Sequence, residues 1–322
     1  MLLPKAGGKP TILGLVPSFP PAKRSGFQRV NQLFTTQHAV GRIRVDRGFT
    51  IVELLVVIGV ISLMLGVLLP TVGSLRDQAR HVSERNSARQ SVIAWNSYAI
   101  DNDGELLPGY KSGLQAWTAS GEAIAEETVG VAANRYPWRL APYLAHNFDL
   151  LYVNDQSSYL NKIRNEDYSS YLYVSATFPS LGLNATWVGG DEIDGCFNPA
   201  LVDLLGQFYS NRLSRVRNPS RLLVFCSARG NDGVEGAGGD VIEGYFKVQS
   251  PNFSSRRWDE AYNPLEPSSA GNVSARWGTD DESVVAHVDG SVDSLDLLEL
   301  EDMRYWADAA TSPDWTLSPP GS

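Results

Sequence analysis

From residue 49 the chain reads FTIVELLVVIGVISLMLGVLL, a run that is apolar on every side of a helix rather than along one stripe. Phe49 to Leu69 is 21 residues. At about 1.5 Å rise per residue, a helix of that length just spans a hydrocarbon core of roughly 30 Å. The pattern then changes. Val72, Leu75, Ala79, Val82, Ile93 and Ile100 recur at three- or four-residue steps or their multiples, while Arg76, Asp77, Arg80, Glu84, Arg85 and Arg89 fill other faces. This amphipathic continuation predicts one rod from Phe49 to about Ile100, with its apolar stripe packed on a following domain and its polar faces toward water or neighbouring molecules. Those 52 residues would run about 78 Å as helix. Pro70 costs an intrahelical hydrogen bond, which predicts a bend rather than an end. The breakers of DNDGELLPG at 101–109 end the rod.

Beyond the rod the pattern is mixed, and α+β is the expected class: a long N-terminal helix on a small antiparallel sheet domain with short helices. Residues 221–228 (RLLVFCSA) suit a buried strand, and 240–249 (DVIEGYFKVQ) suit another. SVVAHVDGSVDSL at 283–295 predicts two alternating strands about Asp289 and Gly290, whose tolerance of positive φ fits a type I′ hairpin turn. Short helices are expected at 138–144, at 198–209 with Asn198 as cap and Pro199 in the first position, and at 297–308. The Gly-rich stretch 229–240 reads as an exposed loop. The organisation expected is a basic leader at 1–48, the helix at 49–100 with 49–69 crossing a membrane, a globular domain at 101–310 and a loose tail at 311–322.

Charge separates these parts. Residues 1–48 carry eight Lys and Arg against the single acid Asp46, a net +7 that leaves −16 for the rest of a chain whose formal charge is −9. A basic flank before the span and an acidic body after it predict a cytoplasmic N-terminus and an external domain. Such an acidic body has no cationic surface for phosphate neutralisation, so nucleic acid is not an expected partner. The leader is Pro- and Gly-rich and lacks a helical period; it is expected to be disordered or absent from the mature protein, and a start codon set too far upstream would explain its length. About 220 residues follow the rod, enough for one sizeable core, and 43% hydrophobic and 20% charged residues speak against disorder. Cys196 and Cys226 are the only cysteines. They can close a disulfide in an oxidising compartment or remain two buried thiols.

Glu53 is the anomaly. A carboxylate within the apolar run costs about 2–4 kcal/mol even on lenient insertion scales. Either it lies near enough to the helix end to reach the headgroups, or it pairs with a cation from another molecule. Arg47, Gly48, Phe49 and Glu53, followed by no further charge through Pro70, together resemble a type IV prepilin signal rather than a generic signal anchor or a cleaved secretory signal. The resemblance implies cleavage by a prepilin peptidase between Gly48 and Phe49, N-methylation of Phe49, and a Glu53 that meets the freed amine of a neighbouring subunit. It also implies a kink at Pro70, homo- or hetero-oligomers with other pilins or pseudopilins, an inner-membrane assembly platform, and a periplasmic or extracellular domain. YAIDNDGELLPGY at 98–110, YPWRLAPYL at 136–144, NPSRLLVFCSA at 218–228 and AHVDGSV at 286–292 are similar to pseudopilin-like proteins related to the type II secretion major pseudopilin. One position departs: many relatives have a histidine ten residues before the aspartate of the DG turn, where this chain has Thr279, and His287 lies inside the hairpin instead.

Catalytic and metal patterns are absent from the sequence. His38, His81, His146 and His287 are scattered, with no HExxH, CxxC, GxSxG or GxxxxGK. Asp101, Asp103 and Glu105 resemble part of a calcium loop, yet its twelfth position is Ser112 where a bidentate glutamate is required. Asp280, Asp281 and Glu282 form a second acidic run that reads first as a solvated face, with calcium as the alternative and no other cofactor expected. Trp117, Trp187 and Trp258 either form an exposed platform for sugars or a partner protein, or cover the long helix. Two functions follow. The chain is a non-enzymatic, self-assembling subunit of a type II secretion pseudopilus or type IV pilus-like filament, or it is a membrane-anchored module that binds a polysaccharide or protein.

Overall fold

A computed structural model of the chain describes residues 49–118, 121–124, 130–153, 156–231, 240–278 and 281–320. The leader with Gly48, and Thr279 with Asp280, lie outside the described residues. The chain falls into two units, Met1–Ile58 and Gly59–Ser322. Phe49 and Thr50 precede helix α1, which runs from Ile51 to Asp101, 51 residues, without a break at Pro70. It stops where expected. Asp103 and Gly104 take φ of 54° and 81°, and the Gly104 N–H reaches back to the Ala99 carbonyl at 2.7 Å.

The second unit is α+β. Its four-stranded antiparallel sheet has the order β3 (Leu181–Leu183), β4 (Leu223–Ser227), β7 (Ser283–His287), β8 (Val292–Leu295). The two central strands, β4 and β7, are buried at every residue, and their register shifts between Leu223 and Phe225. Two small ribbons accompany it: β1 (Ala116–Trp117) with β2 (Ala123–Ile124), and β5 (Arg229–Asn231) with β6 (Val241–Glu243). The core holds Trp95 of α1 with Tyr136, Trp138, Leu181, Trp187, Phe225 and Trp306, all fully buried. Each large apolar side chain removed from water contributes roughly 1.5–3 kcal/mol. Some of the polar tips inside find partners, Tyr136 Oη donating to the Leu181 carbonyl at 2.7 Å and Trp306 Nε1 to the Leu300 carbonyl at 2.8 Å, whereas Trp95 Nε1 and Trp138 Nε1 have none among the described residues.

Several elements differ from the sequence expectation. Helix α2 is Tyr136–Leu140 and tightens into a 3₁₀ turn over Ala141–Leu144. Helices α3 (Gln156–Glu166) and α4 (Tyr168–Thr177) were not anticipated; in α3 only Leu160 and Ile163 are buried, too sparse a pattern to read. Helix α5 (Pro199–Leu205) has the expected Asn198 cap, but Gly206 at φ 75° ends it early. Helix α6 is one turn, Leu297–Leu300, closed by an Asp296–Glu299 capping box. The strand expected at 240–249 survives only as β6, because Gly244 at φ 118° turns the chain. Of the loop expected at 229–240, residues 229–231 are instead paired as β5, and 232–239 lie outside the described residues.

The DG turn is also corrected. Gly290 has φ 89° but Asp289 is not in the positive region, and the Gly290 N–H bonds the His287 carbonyl at 2.9 Å. This is a three-residue loop with a type I turn and a left-handed glycine, not type I′. The Asp289 carboxylate accepts from the Ser291 N–H at 2.9 Å, which favours the ordinary φ at Asp289. The tail is not loose as far as Pro320. Leu317 is buried and its N–H bonds the Phe253 carbonyl at 2.7 Å, while Trp315 packs edge-on against Trp187.

Candidate functional site

Thr50 caps α1, and Glu53 sits at its third position. The Glu53 N–H donates to Thr50 Oγ1 at 3.2 Å, and Glu53 Oε2 accepts from both the Thr50 N–H and Thr50 Oγ1 at 2.9 Å. This reciprocal capping box means that the anomalous carboxylate has a partner within its own chain. Both bonds go to Oε2, so Oε1 has no partner among the described residues. Phe49 and the apolar side chains from Ile51 to Leu69 are exposed, on a helix long and apolar enough to cross a membrane. That is consistent with a single-pass anchor.

Past residue 74, α1 has two unlike faces. Glu84, Ser87, Ala88, Ser91, Val92, Ala94, Trp95 and Ala99 are buried. Leu75, Ala79, Val82, Ile93 and Ile100 are exposed, Ile100 to 72%. At about 100° per residue the exposed set falls within about 60° of arc, opposite the buried set. The expected packing is therefore inverted: the apolar stripe points away from the domain, and a row of small residues around one tryptophan faces it. Small side chains let the helix approach closely enough for direct bonds to the sheet. Asn96 donates to the Val288 carbonyl at 3.1 Å, Arg85 to the Val292 carbonyl at 2.9 Å, and His81 shares a 2.9 Å hydrogen bond with Ser294.

Glu84 is the one acid on the buried face, fully removed from solvent. Arg276 grips it with two bonds, Nε at 3.1 Å and Nη2 at 2.8 Å, and Ser227 Oγ donates to it from β4. Arg276 also pairs with Glu243, which Arg229 holds at 2.5 Å. Burial alone would lower the Arg276 pKa; Glu84 and Glu243 outweigh it and hold it raised. A second buried group fastens residues 188–198: Lys247 lies 3.3 Å from Asp191 and 2.7 Å from Asp194. Burial raises the Asp191 pKa, whereas Asp194, despite burial, is held low by Lys247. Neither network was visible in the sequence, since Glu84 and Arg276 lie 192 positions apart. The row of small residues about Glu84 was the available signal.

The remaining candidates disperse. Cys196 and Cys226 are free and buried, so of the two alternatives the structure has the thiols and not the bridge. Burial pushes the Cys196 thiol up to about 12. Trp187 and Trp258 are core residues and no platform: Trp187 Nε1 donates to Ser250 Oγ and Trp258 Nε1 to the Gln249 carbonyl, both at 2.8 Å, and Trp117 is half-buried. His287 is buried, 3.0 Å from the Arg221 carbonyl and 3.4 Å from Asp293, where it braces the hairpin. Glu105 pairs with Arg212 at 3.3 Å. Among the described residues no three His, Cys, Asp or Glu side chains are grouped to hold a metal ion.

Residues 43–69 match the family model of the prokaryotic N-terminal methylation motif, the prepilin-type cleavage and methylation signature. No curated protein and no solved structure matches the chain. The match covers the signal and the apolar half of α1; the resemblance inferred for the DG-turn domain has no such support.

Proposed function

We propose that this chain is a structural subunit of a type II secretion pseudopilus or a type IV pilus-like filament. The observation that carries the reading is the exposed stripe from Leu75 to Ile100, which continues an exposed apolar helix and which the chain's own domain leaves uncovered. The methylation motif at 43–69 supplies the route to assembly. A prepilin peptidase cuts between Gly48 and Phe49, where the lack of a Cβ at Gly48 lets the enzyme approach the backbone. The freed amine of Phe49 is methylated and meets Glu53 of a neighbouring subunit. A lone amine and a lone carboxylate in lipid are each costly, and pairing removes both costs. In the isolated subunit the Thr50 capping box lowers the cost of Glu53; in the filament the neighbour's amine takes its place at the carboxylate.

On this reading the partners are other pilins or pseudopilins, the peptidase and an inner-membrane assembly platform. The basic leader stays cytoplasmic and the acidic domain lies outside. No side chain here needs to act as nucleophile or base, because cleavage and methylation belong to another enzyme. The alternative of a polysaccharide- or protein-binding module loses its principal surface with the burial of Trp187 and Trp258.

Glu53→Ala tests the proposal. Mass spectrometry of the N-terminus should still find a processed, methylated Phe49, while incorporation into filaments is lost. Normal assembly of the variant would overturn the pairing role.

A further inference from the structure

Lys247 carries a buried amine that the function proposed above does not use. Its side chain is 4% exposed, and the two carboxylates it touches, Asp191 and Asp194, are 0% and 8% exposed. An ion pair at this depth is a costly way to fasten two segments, because each charge has lost its water. The atoms around it are arranged more specifically than pairing requires.

Each oxygen of Asp191 has its own setting. Oδ1 accepts from the backbone N–H of Ile193 at 2.8 Å and of Asp194 at 3.3 Å, and lies 3.3 Å from Lys247 Nζ. Two preset N–H donors on one carboxyl oxygen form the kind of hole that stabilises an oxyanion once the adjoining carbon is attacked. Oδ2 is buried and has no hydrogen-bond partner among the described residues. That setting favours a carboxylic acid over a shared negative charge, and burial raises the Asp191 pKa in the same direction. Asp194 is held differently. Its Oδ2 lies 2.7 Å from Nζ and accepts from Thr186 Oγ1, and despite burial Lys247 keeps its pKa low, so it is the carboxylate of the two.

We propose that Lys247 and Asp191 condense into an intramolecular amide, with Asp194 as the base. Asp194 Oδ2 takes a proton from the Lys247 ammonium. The freed amine, whose 3.3 Å contact with Oδ1 is close to the roughly 3–3.5 Å of an attack geometry, adds to Cγ of the Asp191 carboxylic acid. The charge that gathers on Oδ1 meets the N–H groups of Ile193 and Asp194. A second proton passes from the nitrogen to the hydroxyl at Oδ2, which leaves as water while the carbonyl re-forms. One C–N bond is gained, one C–O bond is lost, Asp194 ends as a carboxylic acid, and no oxidant or other reactant is consumed. Burial favours this outcome, since it excludes bulk water and a neutral amide replaces two charges. The bond closes residues 191–247 into a covalent loop and ties residues 188–198 to the segment in which Lys247 bridges Leu183 of β3. With Cys196 and Cys226 both free, it is a staple that no reductant opens. It needs only the folded domain and stands apart from filament assembly.

Tryptic mapping of the denatured, native-sequence full-length chain tests it. The expected result is one branched species, peptide 165–212 joined to 230–256, uncut after Lys247 and lighter than the two separate peptides by one water. Fragmentation should place the branch at Asp191. Cleavage after Lys247 with every peptide at full mass would overturn the bond, and a branch at Asp194 would overturn the roles given to the two aspartates. Asp194→Asn keeps the size of the side chain and removes the base. In a pulse-chase of newly made chain it should slow linkage by about a hundredfold, the lower end of what a positioned base contributes. Linkage of that variant at the native rate would overturn the role of Asp194.

Discussion

The two faces of α1 beyond Ser74 differ in a way that reverses simple expectation. Leu75, Val82, Ile93 and Ile100 are exposed, while the face against the sheet is built from Ser, Ala, one Val, one Trp and a glutamate. Apolar character alone does not decide which face a domain covers; the distance of approach does. Ser87, Ala88, Ser91 and Ala99 leave room for side chains of α1 to bond the sheet backbone, and Trp95 fills the space that remains. Packing density thus comes from one large residue among small ones. The large aliphatic residues stay available for something outside the fold.

The comparison breaks hardest at Glu84. Glu84→Ala leaves Arg276 buried with Glu243 as its remaining carboxylate, and stability should fall by about 3–5 kcal/mol. Thermal or denaturant unfolding of the chain past the membrane span reads this directly. Adding Arg276→Met should recover part of the loss; if the double variant shows the sum of both single losses, the ion pair is not its source. A smaller effect is expected at Ala88, fully buried on the same face. Ala88→Leu overpacks the helix–sheet contact and should cost about 1–3 kcal/mol, where an equally long side chain at Ala79 should cost almost nothing.

What the sequence made legible follows from the range of the interactions. The rod was readable at both ends because its signals are local: an apolar run, then the breakers around Asp103 and Gly104 after the last turn. The buried strand at 223–227 and the Asn198 cap are local as well. The packing face was not, since the partner that makes Glu84 tolerable lies on a segment far along the chain. Helices α3 and α4 escaped because their burial falls on Leu160 and Ile163 alone in the first, and on Tyr171, Leu172 and the small residues Ser175 to Thr177 in the second, in place of an apolar stripe. At the DG turn the residue types were right, but the Asp289 side chain chose the turn type by bonding Ser291. For the site, the motif around Phe49 and Glu53 was fully visible; the Thr50 capping box follows from the same letters, T-x-x-E, and could have been read.

His81 sharpens the comparison from the edge of the buried face. Burial, then Arg85, lowers its pKa below the ordinary 6.5, with Glu282 and Glu84 acting the other way. The unfolded chain therefore takes up the proton first as pH falls. The contribution of His81 is fully present above about pH 6.5 and is lost as pH falls toward the lower folded-state value. Melting temperature should decline through that window, and His81→Phe, which keeps the stack on Trp277, should flatten the decline. A residual slope belongs to His287, lowered by its own burial.

The smallest effect on stability is expected on the exposed face, and there it carries the most information. Ile93→Asn removes an exposed side chain with no role in the fold, so unfolding should shift by no more than about 0.5 kcal/mol. If a second subunit covers the stripe, the same variant should be processed at Phe49, fold normally and yet fail to enter filaments. Ala88→Leu should do the reverse, with a weakened fold and whatever assembly the folded fraction supports. Crossing the two readouts, melting against incorporation, separates a face that holds the domain from a face that holds a neighbour. An Ile93→Asn subunit that assembles like the native chain would leave the stripe without a partner and remove the observation on which the filament reading depends most.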